Sequence, residues 1–303
     1  MSRDRSWYGR MSLFVDAFVT SILYAAFFSI AALGLNLVFG VMRIVNLAHG
    51  EFLVMGSYLA IALADSYGFN PVVSLAVVVP VFLAIGLLLY FPLVPRLQKS
   101  GDPEMSSFIL FFGVSYAMEG LAVQLFGVSY QSLQYNLFKP VHVEILGYVM
   151  PTAWVVTAAV SVAALALVYF YLYRTGLGLQ TRALMINRDE AMANGVNINA
   201  VSAIAFGFSI ALAASAGVFS SFISYPTSPS IGDTFTLVSF AIIIIGALGN
   251  PLATVVGAVV FAYAYGYTEI YAANWSSIVP FIILIAVILA RPQGLLGRKA
   301  REF

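Results

Sequence analysis

Arg43, Asn46, His49 and Glu51 place four polar or ionisable groups within nine residues, inside a stretch whose two ends are apolar, GLNLVFGVMRIVNLAHGEFLVMGSY at 34–58. Gly34, Gly40, Gly50 and Gly56 interrupt it. In hydrocarbon an open backbone group costs several kcal/mol, so a helix broken there must line a cavity or be buried in protein. Asn46 suits the cap of a half-helix that starts after the break and aims its free amides and positive dipole end inward. A carboxylate or amide cargo could be held at such a helix start, with Gly50 at its first turn, Glu51 meeting an ammonium group and His49 donating a hydrogen bond. Alternatively these side chains only satisfy one another and hold a kink. Ionisable residues inside a membrane are costly enough to favour the functional reading.

Hydrolytic or metal chemistry fits these residues poorly. His49 has no second histidine nearby, since His142 is far along the chain, and both the H-E-x-x-H pattern and the G-x-S-x-G nucleophile elbow are absent. No covalent chemistry is expected, hence no enzyme.

The elements that must position these groups are membrane helices. The chain is 61% hydrophobic and 9% charged, against about 25% charged in an ordinary soluble domain. A net charge of +1 excludes a basic nucleic-acid surface, and the lack of cysteine excludes disulfides and thiolate chemistry. Apolar runs fall near 13–39, 52–64, 72–94, 105–127, 151–173, 201–223, 237–248, 252–271 and 275–290. Runs 52–64 and 237–248 are short for a span of about 20 residues, and each adjoins a glycine-bearing break. The expected fold is all-α: one transmembrane domain over 1–303, with about eight spans and discontinuous or re-entrant segments near 41–51 and 246–252. The basic N-terminus leads into an apolar run far longer than a signal peptide's, so a retained helix is expected. The stretches 34–58 and 240–266 share a helix, break, helix pattern that could reflect a weak repeat.

Lys and Arg in short loops set the orientation. Arg96 and Lys99, then Arg174, Arg182 and Arg188, then Arg291, Arg298, Lys299 and Arg301 mark three cytoplasmic segments. The segments 128–150 and 224–233 then fall outside. The N-terminus is left open: its three arginines argue for inside, while one crossing per apolar run puts it outside.

Within the cytoplasmic loop 174–200, Asp189 and Glu190 sit at a helix start and Gly195 at a helix stop. Ala191, Met192 and Ala193 would form an exposed apolar edge, suited either to a partner's groove or to the lipid surface. Gly246, Gly249, Asn250, Pro251 and Gly257 suit close helix packing or a pore wall. Glu119 and Glu269, single acids near the outer ends of spans, read as snorkelling or as contacts for a binding protein rather than as proton-coupling groups. A Walker A sequence is missing, so nucleotide energy must come from another chain.

Four markers carry a family resemblance: the 34–58 stretch, DEAMANGVN at 189–197, AIIIIGALGNPLATVVGAVV at 241–260 and RPQGLLG at 291–297. Over nearly its whole length the chain resembles the inner-membrane permease subunits of branched-chain amino acid ABC importers, the LivH type. Asn46, Ala48, His49, Gly50 and Glu51 match that family's N-x-A-H-G-E signature, and Asp189 to Gly195 looks like a degenerate EAA loop that docks on the ATPase. The Ile-x-Leu-Pro tail of the general loop is missing. The short N-terminus suits the shorter of two paired permeases. The resemblance implies a second permease subunit, two ATPase subunits that bind and hydrolyse ATP, and a periplasmic or extracellular substrate-binding protein. It implies no cofactor in this chain, and a multi-pass place in a bacterial or archaeal inner membrane. Arg43, Asn46, His49, Gly50 and Glu51 would belong to the substrate pathway, and Arg182, Asp189, Glu190, Ala191 and Gly195 to the coupling loop. The cargo would be branched-chain or related amino acids, with urea or short amides as the alternative. A lone ion-coupled transporter or channel is the rival from another class, but spans 72–94, 151–173, 201–223 and 275–290 hold no acid.

Overall fold

A computed structural model describes residues 4–134, 137–145, 148–223 and 226–297. Arg298, Lys299 and Arg301 lie outside the described residues, as do Tyr135, Asn136, Leu146, Gly147, Ser224 and Tyr225. The bundle is helical throughout: α1 (Asp4–Met42), α2 (His49–Tyr67), α3 (Pro71–Leu97), α4 (Pro103–Phe126), α5 (Thr152–Arg174), α6 (Gly176–Ile186), α7 (Arg188–Ala193), α8 (Ile198–Ile223), α9 (Gly232–Gly246), α10 (Pro251–Tyr271) and α11 (Val279–Ala290). One feature departs from an all-helical reading. In the segment expected outside, β1 (His142–Ile145) pairs antiparallel with β2 (Tyr148–Pro151), His142 opposite Pro151. Seven helical segments among the described residues are long and apolar enough to cross a membrane. The more polar α2 and the 12-residue α11 complete the set.

α1 and α8 form the centre. Their most apolar windows are 83% and 89% buried, against 17% for α4 and α5, which ring the outside. Small residues let the central backbones touch: a Cβ on Gly34 would stand 2.6 Å from the Ser209 carbonyl oxygen, and one on Gly217 would stand 1.8 Å from that of Leu53.

Arg43, at the end of α1, shares a cleft with Gln98 and Arg188, so α1 finishes on the face that carries the basic loops. Its other end therefore lies at the opposite face. The start of α1 thus lies across the bundle from the basic loops, as one crossing per apolar run expects, and the face that carries those loops is taken as cytoplasmic from the charge rule.

The two halves of the chain run in opposite senses. α1 descends to the cytoplasmic face, α2 returns, α3 descends and α4 returns; α8 rises, α9 returns, α10 rises and α11 returns. The α1 to α10 contact matches that of α8 with α3. Asn70 caps α3 before Pro71, and Asn250 caps α10 before Pro251. The counterpart of the break at 43–48 is therefore the link before α9, not the one at 246–252. The chain does break at that second place, in a short turn between α9 and α10.

Candidate functional site

Arg43 ends α1 with a φ of 51°, in the left-handed region that non-glycine residues rarely adopt. From there the chain runs non-helically back into the bundle. Ser107 of α4 accepts the Val45 N–H at 3.0 Å. The Asn46 side-chain oxygen accepts the Ala48 N–H at 3.1 Å, which fixes a tight local turn before α2. The expected Asn46 cap is thereby corrected: Ala48 holds the cap position and no side chain caps the helix from it, because the Asn46 oxygen is already engaged two residues on. His49 Nε2 lies 2.7 Å from the Ala31 carbonyl, which can only accept, so this nitrogen carries the hydrogen. Ala31 precedes the end of α1 by about 16 Å of helix. α2 thus begins deep within the bundle, at the middle of the span Leu13–Met42.

α9 begins at the same depth from the other side. The link before it is bridged to the outer segment after α4, Gln131 and Thr227 exchanging both backbone hydrogen bonds at 2.8 and 2.7 Å. Ser57 of α2 touches Thr227 through their hydroxyls at 2.5 Å. Gly50 N–H donates to Thr236 Oγ1 at 2.9 Å, and Thr236 donates onward to the Leu47 carbonyl at 3.1 Å. The Glu51 carboxyl lies over Gly232, the first residue of α9: a Cβ there would stand 2.0 Å from Glu51 Oε1. A carboxyl group at that place faces the positive dipole end of α9. Ser115 of α4 donates to Glu51 Oε1 at 3.4 Å. Two helix N-termini pointing in opposite directions therefore meet around one acid.

Asn46, His49, Gly50 and Glu51 are thus brought together, all buried, and none lines an open cleft in this conformation. Arg43 stands apart from them. It lines a cytoplasmic cleft of about 730 Å³ with Gln98, Asp102, Glu104 and Arg188. Asn46 Nδ2, His49 Nδ1 and Glu51 Oε2 have no hydrogen-bond partner among the described residues. No group of three acids or histidines among those residues is placed to hold a metal.

On the cytoplasmic face, Asn187 caps α7 by accepting from the Asp189 and Glu190 amides at 3.0 and 3.2 Å. Gly195, at φ 81°, stops it, with the Val196 N–H reaching back to the Ala191 carbonyl at 3.1 Å. Ala191 is 4% exposed, so the expected apolar edge is corrected: Ala191 faces inward, because it anchors this short helix on the bundle, while Ile186 and Met192 are the large exposed residues. Arg182 is held locally, its Nε donating to the Leu172 carbonyl at 2.9 Å and its guanidinium 4.7 Å over the Tyr173 ring. Arg188 ties α7 to Gln98 at the end of α3, at 2.6 Å.

Among residues that sequence reasoning passed over, Asn36 stands out. Its amide donates to the carbonyls of Ala247 and Asn250 and to Thr254, and its oxygen accepts from Gly249. A lone asparagine deep in an apolar run was the available signal. Thr236 and Ser115 carried none, since single hydroxyls are common in membrane helices. The Gly246, Asn250 and Gly257 cluster packs: Cβ atoms on Gly246 and Gly257 would stand 2.2 and 2.1 Å from the Ala253 and Ile242 carbonyls. Glu269 accepts from the Tyr24 hydroxyl at 2.9 Å.

Comparison with known proteins gives one consistent direction. The family model described as "Branched-chain amino acid transport system / permease component" matches residues 17–288. The chain is 26% identical to the "Probable branched-chain amino acid transport permease protein LivH" of Methanocaldococcus jannaschii, over 91% of this chain and 90% of that protein. It is 24% identical to the "High-affinity branched-chain amino acid transport system permease protein LivH" of Escherichia coli, over 95% and 97%. It is 26% identical to the corresponding protein BraD of Pseudomonas aeruginosa, also over 95% and 97%. No solved structure matches.

Proposed function

Because this chain belongs to the branched-chain amino acid transport permease family, we propose that it forms one half of a path for branched-chain or related amino acids, opened and closed by separate ATPase subunits. A second permease subunit faces it across that path, and a substrate-binding protein delivers cargo to the outer face. ATP is bound and hydrolysed on the partner subunits, and this chain needs no cofactor.

The observation that carries the reading is the meeting of two helix starts inside the bundle, at Gly50 and Thr236. A junction held by a hydrogen bond from one helix start to a side chain of the other can change partners with little loss of packing, as a gate must. On the cytoplasmic face, exposed Ile186 and Met192 flank the start and middle of α7, whose acids and stop at Gly195 suit docking into a groove of the ATPase. The bond from Arg188 to Gln98 gives a push on α7 a route to α3.

Purification of the tagged chain from native membranes tests this. Two ATPase subunits and a second permease should co-isolate. Full transport by the lone chain in liposomes, with no ATPase present, would refute it.

A further inference from the structure

Around the start of α9 lie polar groups that the helix junction leaves unused. Glu51 is 2% exposed and Tyr58 fully buried, yet Glu51 Oε2 and the Tyr58 hydroxyl have no hydrogen-bond partner among the described residues. Both sit on one face of α2, two turns apart. Side chains in a helix lean toward its N-terminus, which carries the Tyr58 hydroxyl toward Glu51. The Tyr58 ring is fixed in place, stacked on Phe126 of α4 at 4.2 Å with planes 4° apart. A buried acceptor and a buried hydroxyl left open together are costly, and such pairs call for a ligand.

Charge near this space has one sign. Asp233 and Glu119 are the charged groups whose field reaches Glu51. They are too dispersed to chelate a metal, since no three acids among the described residues form such a group. A field of carboxyls without converging ligands suits an organic cation, whose hydrogen-bond donors need only one acid and one hydroxyl. Asp233 is exposed on the first turn of α9, which gives the field an approach from outside the bundle.

We propose that the contact between α2, α4 and the start of α9 opens into a binding site for a primary ammonium group, with Glu51 Oε2 and the Tyr58 hydroxyl as its direct partners and Glu119 and Asp233 drawing the cation in. The inference rests on the reading that the α2 and α9 junction belongs to the transport path. The site is shut in this conformation: Phe126 stacks on Tyr58, and the Gln131 to Thr227 bridge ties the link before α9 to the segment after α4. Binding requires α4, whose span is mostly exposed, to move away from α2. At this step the site favours cargo that carries an amino group over neutral amides.

The test uses the full chain in nanodiscs with one introduced thiol, Thr234→Cys, which is exposed beside the site and is not part of it. A water-soluble maleimide should label it. Isoamylammonium at about ten times its dissociation constant should slow labelling roughly tenfold by mass action, while isocaproate, which has a similar apolar tail and no amine, should not. Glu51→Gln and, separately, Tyr58→Phe in the same background should remove the protection while labelling without probe continues. No labelling, no protection, equal protection by both probes, or protection surviving in both variants would each overturn the proposal. Loss of protection with ATPase subunits still co-isolating would remove the ammonium site alone. Intact protection without those subunits would leave the site standing and remove the importer reading.

Discussion

Gly50 and Thr236, 186 residues apart in sequence, share the hydrogen bond that joins the starts of α2 and α9: the Gly50 N–H meets Thr236 Oγ1 at 2.9 Å. One hydroxyl serves both sides of the break before α2, since it also donates to the Leu47 carbonyl. One first-turn amide of α2 and one carbonyl before it, which lipid cannot satisfy, are thereby paired inside protein.

Replacing Thr236 by Val keeps the shape and removes both bonds. The variant should lose about 1–3 kcal/mol, the usual penalty for leaving buried polar groups open. Thermal unfolding in detergent would read this as a lower Tm. An unchanged Tm would mean that water, not Thr236, satisfies the break.

Close approach of α2 and α8 makes a second prediction. Gly217→Ala puts a Cβ 1.8 Å from the Leu53 carbonyl oxygen, a backbone atom that cannot swing aside, whereas a Cβ at Gly113 meets nothing within 4 Å. Overpacking of this kind costs about 1–3 kcal/mol or more, so Gly217→Ala should lower the yield of folded protein in membranes and Gly113→Ala should not. Equal yields, measured by size-exclusion chromatography, would contradict the α2 to α8 packing.

Much of this fold was legible because hydropathy and length alone fix membrane spans. The break at 43–48 was legible too, since Asn46, His49 and Glu51 are too polar for a lipid-facing helix. Its counterpart before α9 was not. That link, reading TSPSIGD at 227–233, resembles an ordinary outer loop, and only the contacts of Thr227 with Ser57 and of Glu51 with Gly232 reveal that it dips into the bundle. The role of His49 was also hidden: sequence shows an ionisable ring but not that Ala31 holds it. Arg43 looked like a member of the same cluster through proximity in sequence, yet a non-helical segment carries it to the opposite end of the break.

The cytoplasmic helix gives a third prediction. Asn187→Ala removes the cap of α7, worth about 1 kcal/mol, and Gly195→Leu forces a side chain into a left-handed conformation at about 1–2 kcal/mol. A helix of six residues cannot absorb both. Together with Glu190→Lys, these changes should abolish co-isolation of the ATPase subunits while leaving the protein in the membrane. A pull-down that recovers the ATPases unchanged would show that α7 lies on lipid and does not dock.

The claim that transport runs through the junction of α2 and α9 can be tested by locking it. The Ser57 and Thr227 hydroxyls are 2.5 Å apart, and the chain has no cysteine of its own. In the double variant Ser57→Cys and Thr227→Cys, oxidation should close a single disulfide between α2 and the link before α9. Leucine uptake by the reconstituted importer, with ATPases and binding protein present, should stop on oxidation and return on reduction, with the subunits still assembled in both states. Uptake at the same rate with the disulfide closed would contradict the account and place the path elsewhere in the molecule.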